Sequence, residues 1–329
     1  MNGIQIYYSV IVFIFGTVIG SFLNVLIYRL PIGMDFKKGS SICPHCKHQL
    51  KWYDLFPLFS YIFLGGKCRY CKAKISPQYP IVEALNGILY TLAFIFLCDG
   101  AFKPELVGYF MILSCLIVLS WTDFQHNIVP DSMWICILLG GIELYVCDVV
   151  RNGFILDHLL DRLIGFFAVS VLFILLGFIF EKLKGVDAIG GGDIKLMAAA
   201  GFVLGWKLTI LATLVGTLAG LIFTVIYFSI AAHKENKDKD KKELKKAKKE
   251  AEKAAAASEN KIARKVKSKR LEEAAEAEEE SEEETEGKEV PFGPHLAFGI
   301  AFALFLGARI ISWYAGLVLE NLSDTSLFQ

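Results

Sequence analysis

The sequence predicts an all-α, polytopic membrane protein with about eight transmembrane helices, and three observations predict it. The chain is 54% hydrophobic over 329 residues, more than a soluble core needs. Its apolar residues are gathered into stretches of the ~20 residues that cross ~30 Å of hydrocarbon as a helix. Its charges balance at 34 basic and 34 acidic side chains, yet they are concentrated between those stretches.

Ile4 to Tyr28 opens the chain. Its apolar core exceeds the ~7–15 residues of a signal peptide and lacks a basic start, so it is expected to remain as a helix. Ile81 to Cys98, Leu106 to Thr122, Ser132 to Val149, Leu160 to Phe180, Leu208 to Ala232 and Leu296 to Leu319 follow. The shorter Leu196 to Trp206, paired with the stretch after it, supplies an eighth span. Five segments result: a first transmembrane helix (1–28), a polar loop (29–80), a membrane core (81–232), a charged insert (233–289), and a last helix with its tail (290–329).

Orientation follows from basic residues in short loops. Arg29, Lys37, Lys38, Lys47, Lys51, Lys67, Arg69, Lys72 and Lys74 crowd the 29–80 loop against Asp35 and Asp54. That loop is therefore expected in the cytoplasm and the N-terminus outside. Eight spans then put the insert on the cytoplasmic side as well, whereas seven would export its many lysines.

The 29–80 loop carries Cys43-Pro-His-Cys46 and, about 21 residues later, Cys68-Arg-Tyr-Cys71. Paired C-x-x-C knuckles at this spacing predict a closed tetrahedral zinc site on four thiolates. With no position open to water such a site holds a fold and does not hydrolyse, which excludes a zinc hydrolase. His45 is expected beside the ligands and not among them. Cys98, Cys115, Cys136 and Cys147 lie in or beside apolar spans and read as small hydrophobes.

The insert runs basic first, through Lys241, Lys242, Lys245, Lys246, Lys248 and Lys249, then acidic through Glu278 to Glu280 and Glu282 to Glu284. With few large apolar residues it cannot bury a core, and is expected to be helical or, toward its acidic end, disordered. Its basic half suits anionic lipid. Interleaved glutamates and missing aromatics speak against nucleic acid.

Two aspartates stand out. Asp193 ends the run Gly190-Gly191-Gly192 where the charged stretch from Glu181 meets an apolar one. It reads either as the N-cap of a helix over Ile194 to Ala200 or as a functional carboxylate, since a charge at a membrane boundary needs a protein or water partner. The partner proposed is Asp123, in Trp121-Thr122-Asp123. A helix C-terminus disfavours that negative charge, so a structural explanation for it is weak. Eight spans place both on the cytoplasmic side. If both carboxylates approach, they share a proton, one serving as base toward water while the other acts as acid. By helix polarity alone, Asp193 would be the base and Asp123 the acid.

Other polar residues divide between structure and site. Asn24 reads as an interhelical hydrogen bond, with a catalytic role as the alternative. Glu83 reads as a helix-end charge or as a contact for a cationic ligand. Asp131, after Pro130, reads as an N-cap. Pro291-Phe292-Gly293-Pro294 reads as a stiff turn before the last helix.

Together these blocks resemble the type IV prepilin peptidases. The residues that carry the resemblance are Gly20 to Pro31 (GSFLNVLIYRLP), the two cysteine knuckles, Tyr79-Pro80-Ile81-Val82-Glu83, and Asp123 with Pro130-Asp131. Gly190 to Leu196 (GGGDIKL) and Pro291 to Pro294 complete the set. The resemblance covers nearly the whole chain outside 233–289. It implies a membrane-embedded aspartic peptidase of the bacterial plasma membrane that removes prepilin or pseudopilin leaders at the cytoplasmic face. It maps the catalytic pair onto Asp123 and Asp193, supported by Gly190, Gly192 and Lys195. The metal ligands are Cys43, Cys46, Cys68 and Cys71. The long first loop implies a second activity, methylation of the new N-terminal amine with S-adenosylmethionine. Leu55-Phe56-Pro57, Gln78 and the insert depart from the family pattern and touch methylation and docking more than proteolysis. Glu83, Asp187 and Asn24 are candidate substrate contacts. The alternatives are a peptidase without methylation, or a zinc-stabilised membrane scaffold or transporter. The latter gives no reason for Asp123 or the glycine run.

Overall fold

The computed structural model describes residues 2–35, 41–184, 190–256 and 291–314. The protein is an all-α polytopic membrane protein, and seven helices in the described residues are long and apolar enough to cross a bilayer. No strand occurs among the described residues, only two isolated β-bridges.

Helix α1 (Gly3–Arg29) lies against α3 (Gln78–Leu92), which continues as a π-helical turn over Ala93–Leu97. Small residues at helical spacing make the contact. A Cβ at Gly16 would lie 2.8 Å from the Gly87 Cα, and one at Gly20 would lie 2.7 Å from the Glu83 Cα. With no hydrophobic drive between helices in lipid, such close approach and interhelical hydrogen bonds hold the pair. Asn86 donates to the Gly16 carbonyl at 2.7 Å and Asn24 to the Tyr79 carbonyl at 3.1 Å. Asn24 is thus an interhelical link, and its buried Oδ1 has no partner.

Helix α4 (Leu106–His126) is the centre of the fold. In its most apolar window 67% of residues are buried, against 17–39% in the other spans. Ile112, Leu116, Ile117 and Leu119 on α4, Met133 and Ile137 on α5, and Leu196 and Met197 on α7 join one core with Leu296 and Ile300. It ends where Asn127 turns left-handed at φ 50. Helices α5 (Asp131–Asn152) and α6 (Leu156–Lys184) follow.

Helix α7 (Gly191–Ala256) contains one break, at Gly205 (φ 75, ψ 166), a conformation that suits glycine. The piece expected to be a separate span, Leu196 to Trp206, ends at this break, where the helix that begins at Gly191 meets a second one; the two together run 40 residues to Ile230, about 60 Å of helix and enough for two crossings. The Arg162 guanidinium reaches the carbonyls of Phe202 and Val203, both at 3.1 Å. Those carbonyls lose helical partners at the break, and a cation there satisfies them.

Helix α8 (Gly293–Phe302) leads into a π-helical turn at Ala303–Gly307 and remains helical to Tyr314. The membrane helices to Gly220 and the segment from Pro291 form one compact unit. Leu221–Val290 forms a second, helical through Ala256. The rest of the expected insert, to 289, lies outside the described residues.

Candidate active site

The site forms where four chain segments meet: the end of α4, the α4–α5 connection, the start of α7 and the start of α8. Asp123, in the last turn of α4, is 7% exposed. Its Oδ2 accepts the Gly293 amide at 2.9 Å. Gly293 is the first residue of α8, so that amide has no carbonyl within its own helix. The N-terminus of α8 therefore supplies both a donor and its positive dipole end. This removes the asymmetry expected from helix polarity, because Asp123 faces a second helix's favourable end as well as its own unfavourable one.

Glycine is required at 293. A Cβ there would stand 2.7 Å from Asp123 Oδ2 and 3.1 Å from its Cγ. Sequence reasoning saw only a stiff turn here. The available signal was a glycine between two prolines, which cannot reveal a contact 170 positions away.

Asp193 is half-buried in the first turn of α7. It is not the N-cap of a helix starting at Ile194. The amides of Asp193 and Ile194 both reach the Gly190 carbonyl, at 3.0 and 3.4 Å, so the helix begins earlier and leaves the Asp193 side chain unused for capping. The start of α7 that carries Asp193 packs against Val129, six positions after Asp123, which brings it to the end of α4. Gly192 makes this possible, since a Cβ there would lie 2.6 Å from the Val129 Cβ in the α4–α5 connection. Gly190 and Gly191 are open, with nothing nearer a Cβ than Asp193 Oδ2 at 3.8 Å from Gly190.

Other sequence candidates have different duties. Lys195 belongs to α7 and not to a loop, and its Nζ meets Asp131 Oδ1 at 2.6 Å. Asp131 is not an N-cap either: Pro130 holds that position, and Asp131 accepts from Lys195 and from Trp134 Nε1 at 2.9 Å. Glu83 lies beyond the first turn of α3, too far in to cap it. Its Oε2 accepts the Leu58 amide of the 29–80 loop at 2.8 Å. Nothing in the sequence pattern pairs these two. Gln78 accepts from Gln125 at 2.8 Å, joining the start of α3 to the end of α4. Asp187 lies outside the described residues.

The four cysteines of the loop come together as a separate centre. Their sulfurs all lie within 4.8 Å of one another, with Cys43 and Cys71 Sγ 3.9 Å apart. Sulfurs on a tetrahedral zinc ion at about 2.3 Å would be separated by about 3.8 Å. The two knuckles repeat one geometry. Cys43 and Cys68 accept the amides of Lys47 and Lys72, both at positive φ, and a β-bridge closes each turn. Burial acts to raise the Cys43 thiol, but the amides of Cys46 and His45 and neighbouring thiols bring it down to about 7. The Ala73 amide draws Cys71 down, while desolvation and three neighbouring sulfurs push it up to about 11. Four thiols packed this closely resist ionising together without a countercharge, so a dication suits the donor set. His45 is exposed, and His48 packs against Tyr70 across the two knuckles, the rings tilted at 36° with centroids 3.7 Å apart.

Comparison with known proteins identifies the family. Residues 14–97 match the Bacterial Peptidase A24 N-terminal domain, and residues 110–225 match the Type IV leader peptidase family. The prepilin leader peptidase/N-methyltransferase of Klebsiella pneumoniae is 34% identical over 201 residues, covering 59% of this chain and 84% of the relative. This chain belongs to the type IV leader peptidase family. The enzyme of the same name from Myxococcus xanthus is 35% identical over 205 residues, 61% of this chain and 57% of that one. The one from Aeromonas hydrophila is 32% identical over 230 residues, 63% and 76%. No solved structure matches the chain. The A24 N-terminal match covers α1 from residue 14, the cysteine loop and α3, whereas the leader-peptidase match contains Asp123 and Asp193.

Proposed function

We propose that this leader peptidase is a membrane-embedded aspartic endopeptidase in which Asp123 and Asp193 are the catalytic pair. The observation that carries the reading is the buried Asp123 carboxylate, oriented by the Gly293 amide at the end of α4, beside the connection on which Gly192 seats the start of α7 and Asp193. Two adjacent carboxylates cannot both ionise cheaply, so they share a proton. One takes a proton from water as it attacks the scissile carbonyl while the other donates to that carbonyl, and the roles then reverse. The open face at Gly190 and Gly191 gives an extended backbone room to approach.

The substrates are prepilins or pseudopilins, whose apolar helix enters from lipid and whose basic leader stays at the interface. Asp187 attracts that leader. Glu83 is assigned to the loop, because one of its oxygens already holds Leu58. The basic loop residues favour the zinc-knuckle domain in the cytoplasm and the N-terminus outside, in the plasma membrane of a bacterium, and two crossings by the 40 residues from Gly191 to Ile230 return the insert to that same side. Zinc held by Cys43, Cys46, Cys68 and Cys71 fastens the loop, with no part in hydrolysis. The same protein methylates the freed amine, for which S-adenosylmethionine supplies the methyl group.

The test is mass spectrometry of a prepilin N-terminus after incubation with the membrane-reconstituted protein, with and without S-adenosylmethionine. Leader loss is expected in both arms and a methylated amine in the first alone. Asp123→Asn and Asp193→Asn are each expected to abolish leader removal while insertion and metal content persist. Cleavage retained by either variant would remove the assignment.

A further inference from the structure

The cysteine loop carries an apolar surface that zinc binding and proteolysis leave unexplained. Helix α2 (Phe59–Phe63) exposes Phe59 at 54%, Ile62 at 69% and Phe63 at 83%, with Phe56 at 51% beside them. Rings of Phe56, Phe59 and Phe63 follow one another at centroid distances of 5.7 and 6.4 Å. A soluble loop would not present such a row to water.

The position of α2 along the membrane normal follows from its attachment. The α3 span, Gln78–Leu97, has 20 residues, about 30 Å of helix, so it needs its whole length to cross the hydrocarbon. Gln78 therefore marks the boundary. Glu83, five positions further, lies roughly 7–8 Å inside it. The Leu58 amide touches the Glu83 carboxylate, and α2 begins at the next residue. Helix α1 gives the same level, since Asn24, five residues before the end of α1, reaches the Tyr79 carbonyl.

The backbone is also prepared for that depth. Lipid tolerates a non-spanning segment only where its polar groups are paired internally. Glu83 takes the Leu58 amide, and the amides of Ser60, Ile62, Leu64 and Gly66 all find carbonyls within the segment. Lys51 and Lys67 flank the stretch and can extend to anionic headgroups while the aromatics sit deeper.

We propose that Phe56 to Phe63 is an interfacial anchor, lodged at the headgroup–acyl boundary of the leaflet on the zinc-knuckle side, with lipid as its occupant. It holds the knuckle domain down against the membrane at the end of α4 that carries Asp123, which Gln125 joins to the start of α3.

The experiment uses the full chain in phosphatidylethanolamine–phosphatidylglycerol vesicles, with p-benzoylphenylalanine replacing Phe63. Phe167, exposed midway along α6, is the lipid-facing reference position. After irradiation, mass spectrometry is expected to find phospholipid adducts at 63 comparable with those at 167. A second variant, Phe63→Trp, is expected to lose emission in bromolipid vesicles relative to unbrominated ones. Adducts only to a second copy or to an added prepilin would overturn the proposal, as would emission from Phe63→Trp indifferent to bromolipid. Neither readout depends on leader cleavage, so failure here is separate from failure of the catalytic assignment.

Discussion

The Gly293 amide donates to Asp123 Oδ2 at 2.9 Å, joining the first residue of α8 to the last turn of α4. The bond sets the Asp123 rotamer, and the missing side chain at 293 leaves room for it. Gly293→Ala would force the carboxylate aside. Misplacement of a catalytic group by about 1 Å can cost ~10²-fold, so kcat for leader removal is expected to fall by about that factor with KM nearly unchanged. Steady-state kinetics on a prepilin peptide check it, and a rise in KM alone would contradict it.

Glu83 and Leu58 give a prediction about the loop. In Glu83→Leu the Leu58 amide loses its acceptor in a partly buried place, at a cost of about 1–3 kcal/mol. Glu83→Gln keeps an acceptor and loses less. Hydrogen exchange around 55–66 is expected to quicken strongly in Glu83→Leu and weakly in Glu83→Gln. Equal protection in all three proteins would contradict the assignment of Glu83 to the loop.

Metal content is expected at one zinc per chain. Cys46→Ser should lower it and expose the 41–77 segment to proteolysis, while the helical circular dichroism of the membrane spans is retained. Atomic absorption and limited proteolysis measure both. Full zinc occupancy in Cys46→Ser would contradict a four-cysteine site.

Asp54 sets an acid limit on the same loop. Burial alone would raise its carboxyl, but Arg69 at 2.6 Å, the Lys51 amide and the Tyr70 hydroxyl hold it below the usual value. A carboxyl lowered by folding contributes stability at pH above its unfolded value, about 3.9, and loses it as pH falls through the lower folded value. Loop stability is therefore expected to drop in that acid window, and Asp54→Asn should show less of the drop. Fluorescence of the exposed Trp52 follows it, and identical acid profiles would contradict the role.

Legibility in the sequence followed range. Apolar length marked the spans, and two short cysteine spacings marked the metal centre, because each is a local property of consecutive residues. The break at Gly205 was legible as the division between Leu196 to Trp206 and the stretch after it, because the whole apolar run is too long for one crossing. Helix boundaries misled: the Asp193 cap depended on whether the helix began at Gly191 or Ile194, a difference that propensity does not resolve. Lys195 and Asp131 are 64 positions apart, and no periodicity predicts their ion pair.

By itself the sequence determined a polytopic helical membrane protein, its knuckled first loop and the identity of the two aspartates as residues needing explanation. Local hydrophobicity, charge and ligand chemistry suffice for those. Tertiary structure alone decided that the α8 N-terminus orients Asp123, that Gly192 seats α7 on Val129, and that Glu83 holds the loop. Each depends on a contact between segments separate in sequence, made by one hydrogen bond or at one glycine, and a single contact of that kind leaves no periodic trace.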